Sequence, residues 1–251
     1  MTIRSLYQAF DARFPTSLSC DWDRDGLMVC PCPDDEVTKV LCTLDVTDAA
    51  VERAIREGCN VICAHHPLLF NPISYITPDD MIAARVLKCI RHGIAIMCFH
   101  TRADAAEGGV NDKIAEALGL HGVEIVDPDN IVRTGYLPAP MDGPSFAKLA
   151  KEAFGAPFVN FADCGKTIHK VAFCGGGGGS MLGIARASGA DVYVTGAIDY
   201  HTLVDAPEGC CSIVEAGHWY TEIAVAKVFC ELVESLGHQA IFDNIHGISA
   251  Y

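Results

Sequence analysis

The stretch from Lys39 to His66, KVLCTLDVTDAAVERAIREGCNVICAHH, decides the fold class. Residues 39–44 form an apolar, β-rich run that reads as a strand. Residues 47–56 carry apolar side chains at helical spacing, with Thr47 placed to cap the helix and Gly58 to end it. Residues 60–64 then give a second buried strand, and His65 and His66 follow at once. A strand, a short helix and a second strand form the building unit of a layered α/β fold with a mainly parallel sheet.

The same rhythm extends along the chain. A helix is predicted over residues 79–91 and a strand over 94–99, ending in His100-Thr-Arg-Ala-Asp104. Another helix follows over 109–118, and the N-terminal MTIRSLYQAFDARFP reads as an amphipathic helix. Asp127-Pro-Asp-Asn130 marks the joint between two halves, placing one α/β lobe at residues 1–126 and a second at 127–251. In the second lobe, strands are expected at 131–137, 158–161, 168–174, 191–195 and 212–215. Helices are expected at 145–154, from about Ser180, and as one long element over 218–236. A weak internal repeat links the halves. EGCNVICA at 57–64 resembles SGADVYVT at 188–195, and HGIAIMCFH at 92–100 resembles EGCCSIVE at 208–215. A duplicated pair of lobes is therefore expected. Ligands of open α/β sheets bind beyond the carboxyl ends of strands, so two such lobes facing each other would pool their strand-end residues in one cleft.

The chain has 251 residues, 32 of them acidic and 18 basic, for a formal net charge of −14. It contains no run of Lys or Arg, which disfavours a nucleic-acid backbone or an anionic membrane as partner. A small anionic ligand could bind only where a metal or a helix N-terminus reverses the local sign. The thirteen cysteines are scattered through apolar segments, the pattern of buried thiols in a reducing compartment rather than of a disulfide framework. Neither Cys30-Pro-Cys32 nor Cys210-Cys211 has zinc-finger spacing. With no secretory signal and no bilayer-length apolar run, a soluble cytoplasmic protein is expected.

Metal-type ligands recur at strand ends and helix starts: His65-His66, His100 with Asp104, Tyr200-His201, and His218 with Glu222. The spacing of His218 and Glu222 stacks imidazole and carboxylate on one helical face. Such a pair can chelate one ion or span two; the alternative is a solvated first turn. Pro67 keeps His66 out of helical geometry and holds the two histidines extended, so that their rings diverge. Diverging rings suit two neighbouring ions better than one. The tract Gly175–Gly179 lies between a strand and a helix, where it could cradle an anion or form a tight turn allowing close packing, and it lacks the lysine of a P-loop. No G-x-S-x-G elbow appears, and Cys63, on the strand face of His65, reads as core.

Six segments in order then resemble the Ngg-interacting-factor family, also called GTP cyclohydrolase I type 2 homologues or dinuclear metal-centre proteins. They are WDRDGL at 22–27, LDVT at 44–47, AHHPLLF at 64–70, HTRADAAEGGVN at 100–111, TGAIDYH at 195–201 and GHWYTE at 217–222. The resemblance implies interlocked α/β lobes with a two-metal site in the cleft between them, ligated by His65, His66, Asp104, His218 and Glu222. It also implies a ring-shaped homohexamer. Two places depart from the pattern: Arg102-Ala103 replaces Asn-Leu, and Ala197 stands where many members have Asp, with Asp199 two residues on.

These readings lead to a metal-dependent hydrolase with two divalent ions per chain (Zn, Fe or Mn) bridged by Asp104 or Glu222 and a hydroxide. His100 and His201 are the candidates for orientation or proton transfer, and the substrate is a small molecule, with a nucleotide and GTP-type ring opening as one option. The rival expectation is a non-catalytic metal-binding or protein-interaction protein.

Overall fold

The computed structural model of the chain describes residues 1–248. Contacts divide it into two compact units. The first comprises Met1–Ala103 together with Val225–Gly247, and the second contains Asp104–Ala224.

The first unit begins with α1 (Ile3–Arg13), β1 (Gly26–Val29), β2 (Lys39–Thr43), α2 (Asp48–Glu57), β3 (Val61–Ala64), α3 (Met81–Arg91) and β4 (Ala95–Cys98). The short α4 (Thr101–Ala105) carries the chain into the second unit. There follow α5 (Val110–Ala117), β5 (His121–Ile125), β6 (Arg133–Met141), α6 (Gly143–Phe154), β7 (Asn160–Ala162), β8 (Ile168–Cys174), α7 (Leu182–Ala187), β9 (Val192–Thr195), α8 (Tyr200–Asp205), β10 (Ser212–Glu215) and α9 (His218–Glu222). Finally α10 (Ala224–Ser235) and β11 (Gln239–Phe242) return to the first unit.

The strand–helix–strand unit at residues 39–64 forms as its sequence dictates. The Thr47 side chain accepts from the Ala50 amide, and Gly58 closes α2 in the left-handed conformation at φ 72°. The first sheet runs β1-β4-β3-β2-β11, with β4, β3, β2 and β11 parallel and only β1 antiparallel. One face packs Leu41, Ile62 and Ile96 against Val51, Ala54 and Val86 of α2 and α3. Phe10, Phe14, Phe99 and Phe229 interlock their rings, joining α1 and α10 to the chain just past β4 at centroid distances of 5.1–6.3 Å.

The second sheet runs β5-β6-β8-β9-β10-β7. Its centre, β8-β9-β10, is parallel, and the outer pairings are antiparallel. The segments aligned in the internal repeat occupy corresponding places. β3 and β9 each lie between two parallel neighbours, and β4 and β10 are the parallel strands next to them.

Three expectations differ from what is found. The division of the chain does not fall at residue 126, because β11 pairs with β2 and draws the C-terminal segment back into the first unit. Residues 101–105 form a helical turn rather than a strand end. The single helix expected over 218–236 is two, interrupted at Ile223, and the boundary between the units follows at Ala224–Val225.

Candidate metal centre

In the first unit three imidazoles converge. His65 and His66 leave β3 still paired to the chain after β2, through His65 N–H to the Thr43 carbonyl (3.2 Å) and His66 N–H to the Leu44 carbonyl (2.9 Å). The chain bends at these two residues rather than running on extended, and their rings come together instead of diverging as expected. His100 arrives from the end of β4. The ring centroids lie 5.0 Å (His65–His66), 5.3 Å (His65–His100) and 5.7 Å (His66–His100) apart, and one potential ligand atom from each ring lies within 4.8 Å of the others.

Each ring is oriented through its Nδ1. His65, fully buried, bonds the Phe99 carbonyl at 3.0 Å, a group that can only accept, so Nδ1 carries the proton. His66 Nδ1 meets Asp45 Oδ1 at 2.8 Å, and His100 Nδ1 meets Asp23 Oδ1 at 2.8 Å. Burial alone would raise the Asp23 carboxyl, but hydrogen bonds from His100 and Thr101 outweigh it and hold the group well below the usual carboxylate range. A charged carboxylate or a carbonyl on Nδ1 leaves the Nε2 lone pair as the donor, the arrangement that orients histidines on metal ions.

In the second unit, the i, i+4 pair on α9 closes on itself, with His218 Nε2 and Glu222 Oε2 3.0 Å apart. Glu222 is buried while His218 is exposed. The glycine tract shapes this corner. A Cβ on Gly176, whose φ is +59°, would stand 1.9 Å from Glu222 Oε1 and 3.0 Å from His218 Nε2. Only glycine lets backbone and carboxylate come so close. The amides at the head of the tract are already engaged: Gly175 N–H donates to Asn111 Oδ1 (3.1 Å) and Gly176 N–H to Thr221 Oγ1 (3.1 Å). Close packing is therefore their role, rather than an anion cradle. Buried Asn111 also donates through Nδ2 to the Asp104 carbonyl (3.2 Å), tying the end of α4 to the tract. Burial together with the charges of Asp104 and Glu222 pushes the Cys174 thiol far above its ordinary range.

Other predicted residues fall elsewhere. His201 is exposed on α8, its ring 5.6 Å from that of Tyr200, and belongs to none of the clusters of potential ligands among the described residues. Asp199 caps α8 by accepting from the Thr202 amide at 3.0 Å. Cys63 is buried in the core, and burial raises its thiol well above its usual range. Arg102 is fully enclosed, with Nε on Asp25 (3.0 Å) and one terminal nitrogen on Asp11 (2.7 Å) and the Phe14 carbonyl (2.9 Å). Residue-type reasoning missed Asp23, Asp45 and Asn111 as supports. All three lie in the quoted motifs WDRDGL, LDVT and HTRADAAEGGVN.

The donors of each unit are nitrogen and oxygen: pre-aimed rings in the first, and a buried carboxylate beside an imidazole in the second. Such donors fit a divalent ion of borderline or hard character. No helix among the described residues is long and apolar enough to cross a membrane.

The chain is 31% identical over 241 residues to a Clostridium perfringens protein named "GTP cyclohydrolase 1 type 2 homolog", covering 93% of this chain and 92% of that one. It is 31% identical over 252 residues to "Protein NIF3 homolog" of Schizosaccharomyces pombe, covering 93% and 90%. The solved structure of a Bacillus cereus protein related to NIF3 shares the fold with a TM-score of 0.90 at 24% identity, over 98% of both chains. A family model matches residues 1–245, and the chain belongs to that family, Duf34/NIF3 (NGG1p interacting factor 3).

Proposed function

We propose that the protein is a dinuclear-metal hydrolase of small molecules, with His65, His66, Asp104, His218 and Glu222 as ligands. The observation that carries this reading is the set of imidazoles in the first unit, each fixed by an oxygen acceptor on Nδ1. The ordered match of six motifs to the family supports the remaining three ligands. Two divalent ions in such a site supply Lewis acidity and a water whose pKa falls toward neutrality.

The chain's own groups do the rest. Phe99, Asp45 and Asp23 hold the imidazoles in one tautomer. Asp104 and Glu222 would supply carboxylate ligands to a bound metal. Gly176 leaves room for the Glu222 carboxylate, and Thr221 holds the adjoining backbone. His100, with Nδ1 on the ionised Asp23, can take a proton at Nε2 from a reacting water or return it to a leaving group. A homohexamer in the cytoplasm completes the proposal. The free thiols support a reducing compartment, and the hexamer is what the family resemblance implies.

The relatives' name points to GTP-type ring opening, and the family's name, NGG1p interacting factor 3, points to a protein partner instead. Turnover of GTP, phosphoesters and cyclic amides by metal-loaded protein separates the two. Turnover of one class, abolished by chelation and restored by metal, is expected. Bound metal with no chelator-sensitive turnover on any class would favour the non-catalytic reading.

A further inference from the structure

Two large aromatic side chains stand open to solvent beside the imidazole cluster. Trp22 is 53% exposed and Phe70 40%. Their ring centroids are 6.3 Å apart with planes at 67°. Both face His100, Trp22 at 6.1 Å and 77°, Phe70 at 6.4 Å and 86°. The three rings thus make a corner whose inner edge is an imidazole of the candidate metal centre.

The corner is built rather than incidental. Trp22 precedes buried Asp23, which accepts from the Thr101 amide (3.0 Å) and hydroxyl (2.6 Å) and from His100. The Cys20 amide donates to the same Thr101 hydroxyl (3.0 Å), and the Asp23 amide to the Cys20 carbonyl (2.9 Å). The indole therefore projects from a loop locked to the residues after β4. Phe70 follows Leu68 and Leu69, which pack into the core under α2 and α3. Exposed rings on rigid supports are pre-organised for stacking and lose little freedom on binding.

We propose that Trp22 and Phe70 form the recognition subsite for a planar nitrogen heterocycle, of the nucleobase class, held against His100. The inference rests on the metal-hydrolase reading and adds to it the residues that select the base. Aromatic side chains bind heterocycles through their faces whatever the ring's edge pattern. An aromatic corner opening directly onto the histidine cluster suits one flat ring whose polar edge is directed at the imidazoles. Its continuity with the candidate centre favours a small ligand over a protein surface.

The test is calorimetric titration of metal-loaded, full-length protein with guanosine 5′-monophosphate and with ribose 5-phosphate, which differ by the base alone. Saturable binding of the nucleotide and at least tenfold weaker binding of the sugar phosphate are expected. Trp22→Ala and Phe70→Ala should each weaken the nucleotide about tenfold at unchanged metal content, while Trp22→Phe should retain most of the affinity. Equal affinity for the two ligands, no saturable binding of the nucleotide, or unaltered binding in both alanine variants would overturn the subsite. So would a Trp22→Ala variant that changes oligomeric state by sedimentation yet binds normally, since the corner would then be a subunit contact. Binding is read without turnover. Base-dependent binding by protein that proves catalytically inert would thus sink the hydrolase and leave the subsite standing.

Discussion

Asp45 shows how much of a metal-type site lies outside its ligands. It is exposed, yet its carboxylate meets His66 Nδ1 at 2.8 Å and sets which nitrogen faces the cluster. Partners of this kind typically carry 10–100-fold in metal affinity. Asp45→Ala should therefore lower affinity for zinc by about that factor in a chelator competition, while the melting temperature of the metal-free protein shifts little. At this scale the candidate ligands were legible because histidine and carboxylate recur after buried strands. Their supports were not, since Asp23 and Asp45 lie 77 and 21 residues from the rings they hold, and spacing arguments work only within one element. The five glycines were legible as a tight turn. The reason for Gly176, a carboxylate that would sit 1.9 Å from any Cβ, appears only in three dimensions.

At the scale of elements, α4 gathers several of the candidate residues. His100 precedes it, Asp104 lies within it, and Arg102 anchors it through Asp11, Asp25 and the Phe14 carbonyl, with its guanidinium 4.5 Å from the Phe99 ring centroid. The departure from Asn at position 102 is thus a structural substitution facing α1. Arg102→Leu leaves the largely buried Asp25 without its cation, and breaking such a pair costs about 3–5 kcal/mol. Urea denaturation of the metal-free protein should show a loss of that size; a loss under about 1 kcal/mol would mean the clamp is not needed. The central strands β2, β3, β4, β8, β9 and β10 were readable because burial on both faces writes a continuous apolar run. β5, exposed along its length, and β11, half-buried, lie at sheet edges and are not buried on both faces. The pairing of β11 with β2 joins residues some two hundred positions apart, beyond any local pattern.

At the scale of the whole molecule, nine of the thirteen free cysteines are buried, and the burial has a consequence for pH. Burial pushes the thiols of Cys59, Cys89 and Cys211 up from 9.0 to about 11. Between these values the unfolded chain releases protons that the native state still holds, so stability falls as pH rises. The melting temperature should accordingly drop between pH 9 and 11, and alkylation at pH 8 should label exposed Cys210 first. A flat thermal profile across that window would contradict the burial of these thiols.

Metal content per chain tests the proposed site most directly. Protein purified without chelator, or reloaded with zinc and desalted, should hold about two ions per chain by elemental analysis, a stoichiometry taken from the dinuclear proposal. His66→Ala and Glu222→Ala should each lose one ion or both while remaining folded by circular dichroism. Metal content unchanged in both variants would contradict the assignment of these residues as ligands, and with it the account of the site.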